Sequence, residues 1–357
     1  MTPVPEVVPF GTLSQADASG RRDVSLVALR STGASITVLT YGAMLWNVET
    51  PDRTGRTEHV ALHLPSLLDI EDRARNPYLG ATCGRYANRI AGASFALDGV
   101  DLDVHPNDGP NQLHGGPDGF DRRLWDVAEV ASNDDGGHVV LALTSAHGDQ
   151  GFPGTLQATA TYELHGHTLR IVYTATTDAP TVVNLTNHTY WHLGGPGAWT
   201  IARSVGEHEL RIPATRYLPV DGASLPDGAL ADVAGTPFDL RHDRPLGDLF
   251  TDRPDGLDHA YEVPTVADHD PAAIGGLPLA AELHHPASGR TLTVATDQPA
   301  VQVYTANGLG GSFAPQAAIC LETQRFPDAP NRADLGPSVL RHGEHYRSTT
   351  DLTFGWR

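Results

Sequence analysis

The residues best suited to chemistry are a carboxylate and a histidine far apart in the chain. Glu322 directly follows the apolar run Ala318, Ile319, Cys320 and Leu321. A carboxylate on so apolar a strand is part-buried, and burial of a charge demands hydrogen-bond partners or a function. His188 lies within residues 181–193, TVVNLTNHTYWHL. Read as one β-strand, this stretch puts Val183, Leu185, Trp191 and Leu193 on one face and Asn184, Thr186, His188, Tyr190 and His192 on the other. Such a polar row, backed by leucine and tryptophan, suits the floor of a cleft for a polar ligand. The competing reading is a solvated face with two incidental histidines, and with 18 histidines in the chain that reading stands for any single one. A carboxylate of ordinary pKa about 4.3 and an imidazole of about 6.5 can act as base and acid near neutral pH. His188 and His192 have a spacing that could bind zinc on a helix. The intervening Thr-Tyr-Trp lacks the glutamate of that motif and favours a strand, so no metal site is expected.

Weaker candidates surround these two. Asn88 and Arg89 precede a glycine turn, where a guanidinium fork can bind vicinal hydroxyls or a carboxylate; a surface arginine is the plainer alternative. His114 stands before Gly115 and Gly116, whose lack of side chains leaves room for a ligand, or simply makes a tight turn. Asp258 opens a strand after a Pro/Gly-rich turn, a position that a turn cap also explains. In the strand AVQVYTA, Gln302 and Tyr304 share a face. The segment GDQGFPGTL, 148–156, reads as a structural turn. Cys83 and Cys320 are far apart, without metal or redox spacing, and read as buried structural thiols.

The elements that must position these groups are strands. Residues 24–30, 34–40, 139–144, 157–164, 168–177, 290–296 and 300–305 are rich in Val, Thr, Leu and Ile and bounded by turn residues. Helical candidates are few and short, such as 66–73. Length alone allows two modest domains or one large all-β domain. Candidate site residues in both halves of the chain favour one antiparallel β-sandwich over residues 1–357. With 43 acidic against 24 basic residues, the formal charge of -19 disfavours nucleic acid and anionic membranes as partners. Every basic residue is arginine, which excludes Schiff-base lysine chemistry and the P-loop lysine. No apolar run is long enough to cross a bilayer. The first 20 residues lack a basic start and an apolar signal core, so a cytoplasmic location is expected.

Taken together, GRYANRIAG, NDGPNQLHGG, GFPGTL, NLTNHTYWHL, YLPVDG, GLDHAYEV, PASGRTL, VQVYTAN and CLETQRFPDAPN resemble the galactose mutarotase (aldose 1-epimerase) family, in the family's order and over nearly the whole chain. The resemblance implies an all-β supersandwich that interconverts the α and β anomers of galactose, glucose and related aldoses without a cofactor, as a monomer or weak homodimer. At matching positions it implies Glu322 as general base and His188 as general acid. It implies Asn88, Arg89, His114, Asp258, Gln302 and Tyr190 as sugar-binding groups. Ala260 stands where many members have Asn, and Val303 where many have an aromatic.

That chemistry needs one proton taken from the C1 hydroxyl and one given to the ring oxygen, after which the opened aldehyde rotates and recloses. Protonated His188 is the expected acid, with Glu322 or Asp258 nearby favouring its charged form. A carboxylate pair could instead hydrolyse glycosides, and the cleft could serve a non-catalytic sugar-binding module. A sugar-phosphate substrate is disfavoured, since Arg89 is the only arginine among the motifs' candidate site residues. Glu322→Gln and His188→Asn are each expected to slow anomer exchange about a hundredfold or more while sugar still binds. Polarimetry on freshly dissolved α-galactose showing normal rates would remove the residue from its role.

Overall fold

The computed structural model describes residues 5–17, 20–265 and 275–357; residues 1–4 and 18–19 of the N-terminal stretch read above lie outside these. The expected strands form, within three residues of the bounds read from the sequence. A nine-stranded antiparallel sheet runs Asp126–Asn133, Gly136–Ser145, Leu156–His165, Thr168–Thr177, Tyr346–Trp356, Arg290–Thr296, Leu279–His284, Glu209–Arg211 and Arg244–Pro245. The C-terminal strand Tyr346–Trp356 knits it together, pairing Thr353 with Thr168 on one side and with Thr293 on the other. A six-stranded antiparallel sheet follows the order Tyr190–Trp191, Ile319–Gln324, Ala300–Tyr304, Asp258–Glu262, Arg216–Tyr217, Ala231–Asp232. A five-stranded sheet is built from the N-terminal strands between Val7 and His59. The short helix Leu67–Glu71 forms where expected, its Ser66 cap accepting the Asp69 amide.

The six-stranded sheet has two faces of different character. Directly opposed residues share a face, as do alternate residues along a strand. The pairs Tyr190↔Cys320, Tyr304↔Cys320, Gln302↔Glu322, Asp258↔Tyr304 and Ala260↔Gln302 therefore place all these residues on one side. On the other side, Val301, Val303, Ile319, Leu321 and Tyr261 join the main core with Leu141, Tyr162, Ile171, Leu352 and Phe354 of the nine-stranded sheet. Each such aliphatic side chain contributes about 1.5–3 kcal/mol on burial. Sheet thus packs on sheet, and the polar face is left for a cleft. Among the described residues, no helix is long and apolar enough to cross a membrane.

The stretch 181–193 is not the continuous strand expected. It makes three short bridges, Thr181–Val182, Thr186–Asn187 and Tyr190–Trp191, to three different partners. Its polar side chains are consumed in tying those partners together. Asn184 donates to the Ala87 carbonyl at 3.0 Å and accepts the Arg325 amide at 2.9 Å, and the Thr186 hydroxyl donates to the Thr323 carbonyl. Arg85 does similar work for GRYANR. Its buried guanidinium donates to the carbonyls of Pro153, Gly154, Ser145 and Ala146, so the GFPGTL turn is the acceptor of an arginine from another motif.

His192, expected on the polar row, is fully buried away from it, with ring centroids 4.5 Å from His208 and 5.9 Å from His285. Gly194 permits this approach, because a Cβ there would lie 2.8 Å from His192 Cε1 and 3.0 Å from His285 Nε2. His208 Nε2 accepts the Leu193 amide at 2.9 Å, so the hydrogen sits on Nδ1 and points to the Val205 carbonyl. Burial pushes His208 well below the usual imidazole range. The unfolded chain then binds a proton below pH about 6.5 that the fold refuses, so this contribution to stability is whole above that pH and lost as pH falls. His208→Gln removes the penalty. The stability gap between the native protein and the variant in urea unfolding is expected to shrink by about 1.4 kcal/mol per pH unit from 6.5 to 5; a gap independent of pH would contradict it.

Candidate active site

The polar face of the six-stranded sheet opens into a cleft with about 580 Å³ of empty space, continuous with solvent. Asn88, Arg89, His114, His188, Tyr190, Asp258 and Glu322 line it, joined by Pro77, Tyr78, Leu113 and Tyr304. Of the eight candidates from the sequence, only Gln302 does not reach the cleft wall. It is buried beneath Asp258, donating from Nε2 to Asp258 Oδ1 at 2.7 Å. Tyr190 lines the cleft, but its hydroxyl is spent on the Pro77 carbonyl at 3.0 Å.

Glu322 and His188 face each other, with 3.6 Å between Oε1 and Nε2 and exposures of 2% and 5%. Glu322 Oε2 is buried without a partner among the described residues. Burial pushes Glu322 well above the usual carboxylate range, with Asp258 adding to the effect and Arg89 opposing it. Burial likewise lowers His188 to about 4. The expectation that neighbouring acids keep His188 charged therefore fails. Loss of hydration is the dominant influence on His188.

The other groups are held as donors and acceptors. Asn88 sits in the left-handed region at φ 63°, its Oδ1 taken by the Arg89 amide, so Nδ2 is what it offers a ligand. Arg89 is steadied by Asp108, with Nε 2.7 Å from Oδ2. His114 Nδ1 accepts the Asn88 amide at 3.1 Å, and burial lowers its pKa, so it is neutral with the hydrogen on Nε2. Gly115 and Gly116 make room for protein rather than ligand. A Cβ on Gly115 would lie 1.9 Å from the Gly84 carbonyl oxygen, and one on Gly116 would lie 2.8 Å from Gln150 Oε1. His114, His188 and Glu322 each have a ligating atom within 4.8 Å of the others, close enough for a cation to bridge. The His114 tautomer, though, presents an N–H there and not a lone pair, which suits a hydroxyl oxygen better than an ion.

Sequence reasoning missed Tyr78, Pro77 and Leu113 as cleft residues. Tyr304 had a signal, its shared face with Gln302. Tyr78 had none, since it lies outside any strand at φ 64°.

A sequence model of the aldose 1-epimerase family matches residues 25–353. The galactose mutarotase of Homo sapiens is 37% identical over 345 residues, spanning 94% of this chain and 95% of that one. The aldose 1-epimerase of Escherichia coli strain K12 is also 37% identical, over 92% and 94% of the two chains. The crystal structure of galactose 1-epimerase from Lactobacillus acidophilus superposes with a TM-score of 0.82 at 29% identity, covering 100% of this chain and 99% of that one. The antiparallel sheets of this chain thus take the fold of a solved galactose 1-epimerase, and this chain belongs to the aldose 1-epimerase family.

Hydrogen bonds to charged groups contribute about 1.5–3 kcal/mol, so Arg89→Ala and Asp258→Ala are each expected to raise KM for an aldose about tenfold or more. Unchanged KM in both would remove them from the sugar hydroxyls.

Proposed function

We propose that this protein is an aldose 1-epimerase acting on free monosaccharides such as galactose and glucose, with Glu322 and His188 as its proton-transferring pair. The observation that carries the reading is their separation of 3.6 Å across the floor of an open cleft, with Glu322 Oε2 unpartnered. A pyranose C1 hydroxyl donates to that oxygen, and Glu322 takes its proton as His188 gives one to the ring oxygen. The C1–O5 bond breaks, the C1 aldehyde turns about C1–C2, and the same two transfers in reverse close the ring as the other anomer.

Proton accounting fits this cycle. Burial favours the neutral form of both groups, raising Glu322 well above the usual carboxylate range and lowering His188 to about 4. The reactive arrangement, carboxylate and imidazolium, holds the same number of protons and the same net charge. Substrate binding therefore need only move one proton over a few ångströms, favoured by hydroxyl donors on the carboxylate and by Arg89. Each positioned group supplies about a hundred- to ten-thousand-fold. The pH limbs of such a pair belong to both residues jointly.

Asn88, Arg89, His114 and Asp258 supply donors and an acceptor around the sugar, while Gln302 orients Asp258. Polarimetry of α-galactose, α-glucose, α-xylose and α-arabinose with the purified protein tests the reading. Acceleration of at least one sugar is the expected result. Calorimetric sugar binding without faster anomer exchange would overturn it in favour of a binding module.

A further inference from the structure

The rings packed on His188 carry a role of their own, which rests on the reading of His188 as the acid. Tyr190 stacks on it at 5.0 Å between centroids and 29° between planes, and Tyr78 at 5.9 Å and 26°. Tyr78 also lies 4.7 Å from the ring of His114, which meets His188 edge-on at 5.2 Å. Displacing Tyr78 would therefore loosen both imidazoles of the cleft. The two tyrosines are linked, because the Tyr190 hydroxyl donates to the carbonyl of Pro77, the residue before Tyr78.

Tyr78 does not rest in this place by local preference. Its φ of 64° lies in the left-handed region, which bulky side chains rarely adopt. Its hydroxyl is only 3.5 Å from Asn107 Nδ2, too far to be a strong anchor. What holds the ring lies outside the cleft. The Arg73 guanidinium sits 4.4 Å from the Tyr78 ring centroid, and Asp121 Oδ2 fixes it at 2.7 Å from NH1. Both ions are incompletely satisfied: Arg73 NH2 and Asp121 Oδ1 are buried without partners among the described residues. A pair serving stability alone would be expected to use those atoms, whereas a pair that braces a ring needs only its charge and its place.

We propose that Tyr78 is a positioning residue for the acid–base pair, and that Arg73, held by Asp121, acts on the reaction from outside the cleft through the Tyr78 ring. His188 must meet the ring oxygen to within a fraction of an ångström, and misplacement by about 1 Å costs on the order of a hundredfold. The loss therefore falls on turnover more than on sugar affinity.

Steady-state polarimetry with α-galactose on Tyr78→Leu, Tyr78→Phe, Arg73→Met, the Tyr78→Leu/Arg73→Met double variant and His188→Asn tests this, with melting curves to establish folding. Tyr78→Leu is expected to lower kcat about thirtyfold or more, with KM changed less than about fivefold. Tyr78→Phe, which keeps the ring, brings kcat back to within about threefold. Arg73→Met lowers kcat about fivefold, and the double variant is no slower than Tyr78→Leu, because Arg73 has no ring left to act through. Additive losses in the double variant, or a Tyr78→Leu that raises KM at normal kcat, overturn the proposal. Should Tyr78→Leu not fold, a normal kcat in Arg73→Met overturns it and a lowered kcat at constant KM supports it. A His188→Asn variant of normal rate would sink the reading beneath it instead. Loss in His188→Asn beside a normal Tyr78→Leu sinks this proposal alone.

Discussion

The constraint on which the rest of the structure depends is the burial of a carboxyl group against an imidazole. Stripping a charged group of its hydration is costly, and burial therefore favours the neutral form of both groups. Burial pushes Glu322 up and His188 down for the same reason. The two groups lie 3.6 Å apart, and a neutral pair and an ion pair there hold the same number of protons. Chemistry near neutral pH then becomes a matter of which of two arrangements with equal charge is favoured, and a sugar hydroxyl on the free carboxylate oxygen can decide that.

Holding such a pair still falls to elements with little else in common. Glu322 rides on a strand paired along its length with Ala300–Tyr304 and, through Ile319 and Cys320, with Tyr190–Trp191, which restrains its backbone. His188 comes from an irregular segment instead, fixed because its flanking residues bridge to three separate strands. Buried arginines supply what hydrophobic contact cannot in the loops above. Arg85 gathers the carbonyls of the Ser145–Gly154 region, while Arg290 gathers those of Thr50, Arg56 and Leu193. A planar fork with five donors suits several fixed carbonyls in a way that the ammonium of lysine does not.

Much of this was legible in the sequence, and the reasons differ by residue. Strands such as Thr168–Thr177 and Arg290–Thr296 matched residue for residue, because alternation and turn residues report burial directly. Glu322 was legible for a similar reason: a carboxylate on an apolar strand is anomalous anywhere. The stretch 181–193 misled because alternation describes a strand's faces and not its partners, and here the partners change every few residues. Two of its polar side chains, Asn184 and Thr186, serve as fasteners rather than as a floor. Gly115 and Gly116 misled similarly, since a glycine that admits another backbone looks the same in sequence as one that admits a ligand. Tyr78 gave no sign, because its place depends on Arg73 and on Asp121 of the Phe120–Arg122 turn, contacts that no local pattern encodes.

The pairing of Gln302 with Glu322 has an evolutionary consequence. Sliding the Ile319–Gln324 strand by a single step would send Leu321 toward solvent and drive the carboxylate into the hydrocarbon interior, so a misaligned molecule would lose its interior together with its reactivity. Selection for an intact sandwich therefore also guards the orientation of the reacting group, and quality control that removes slipped molecules removes inert ones at the same time.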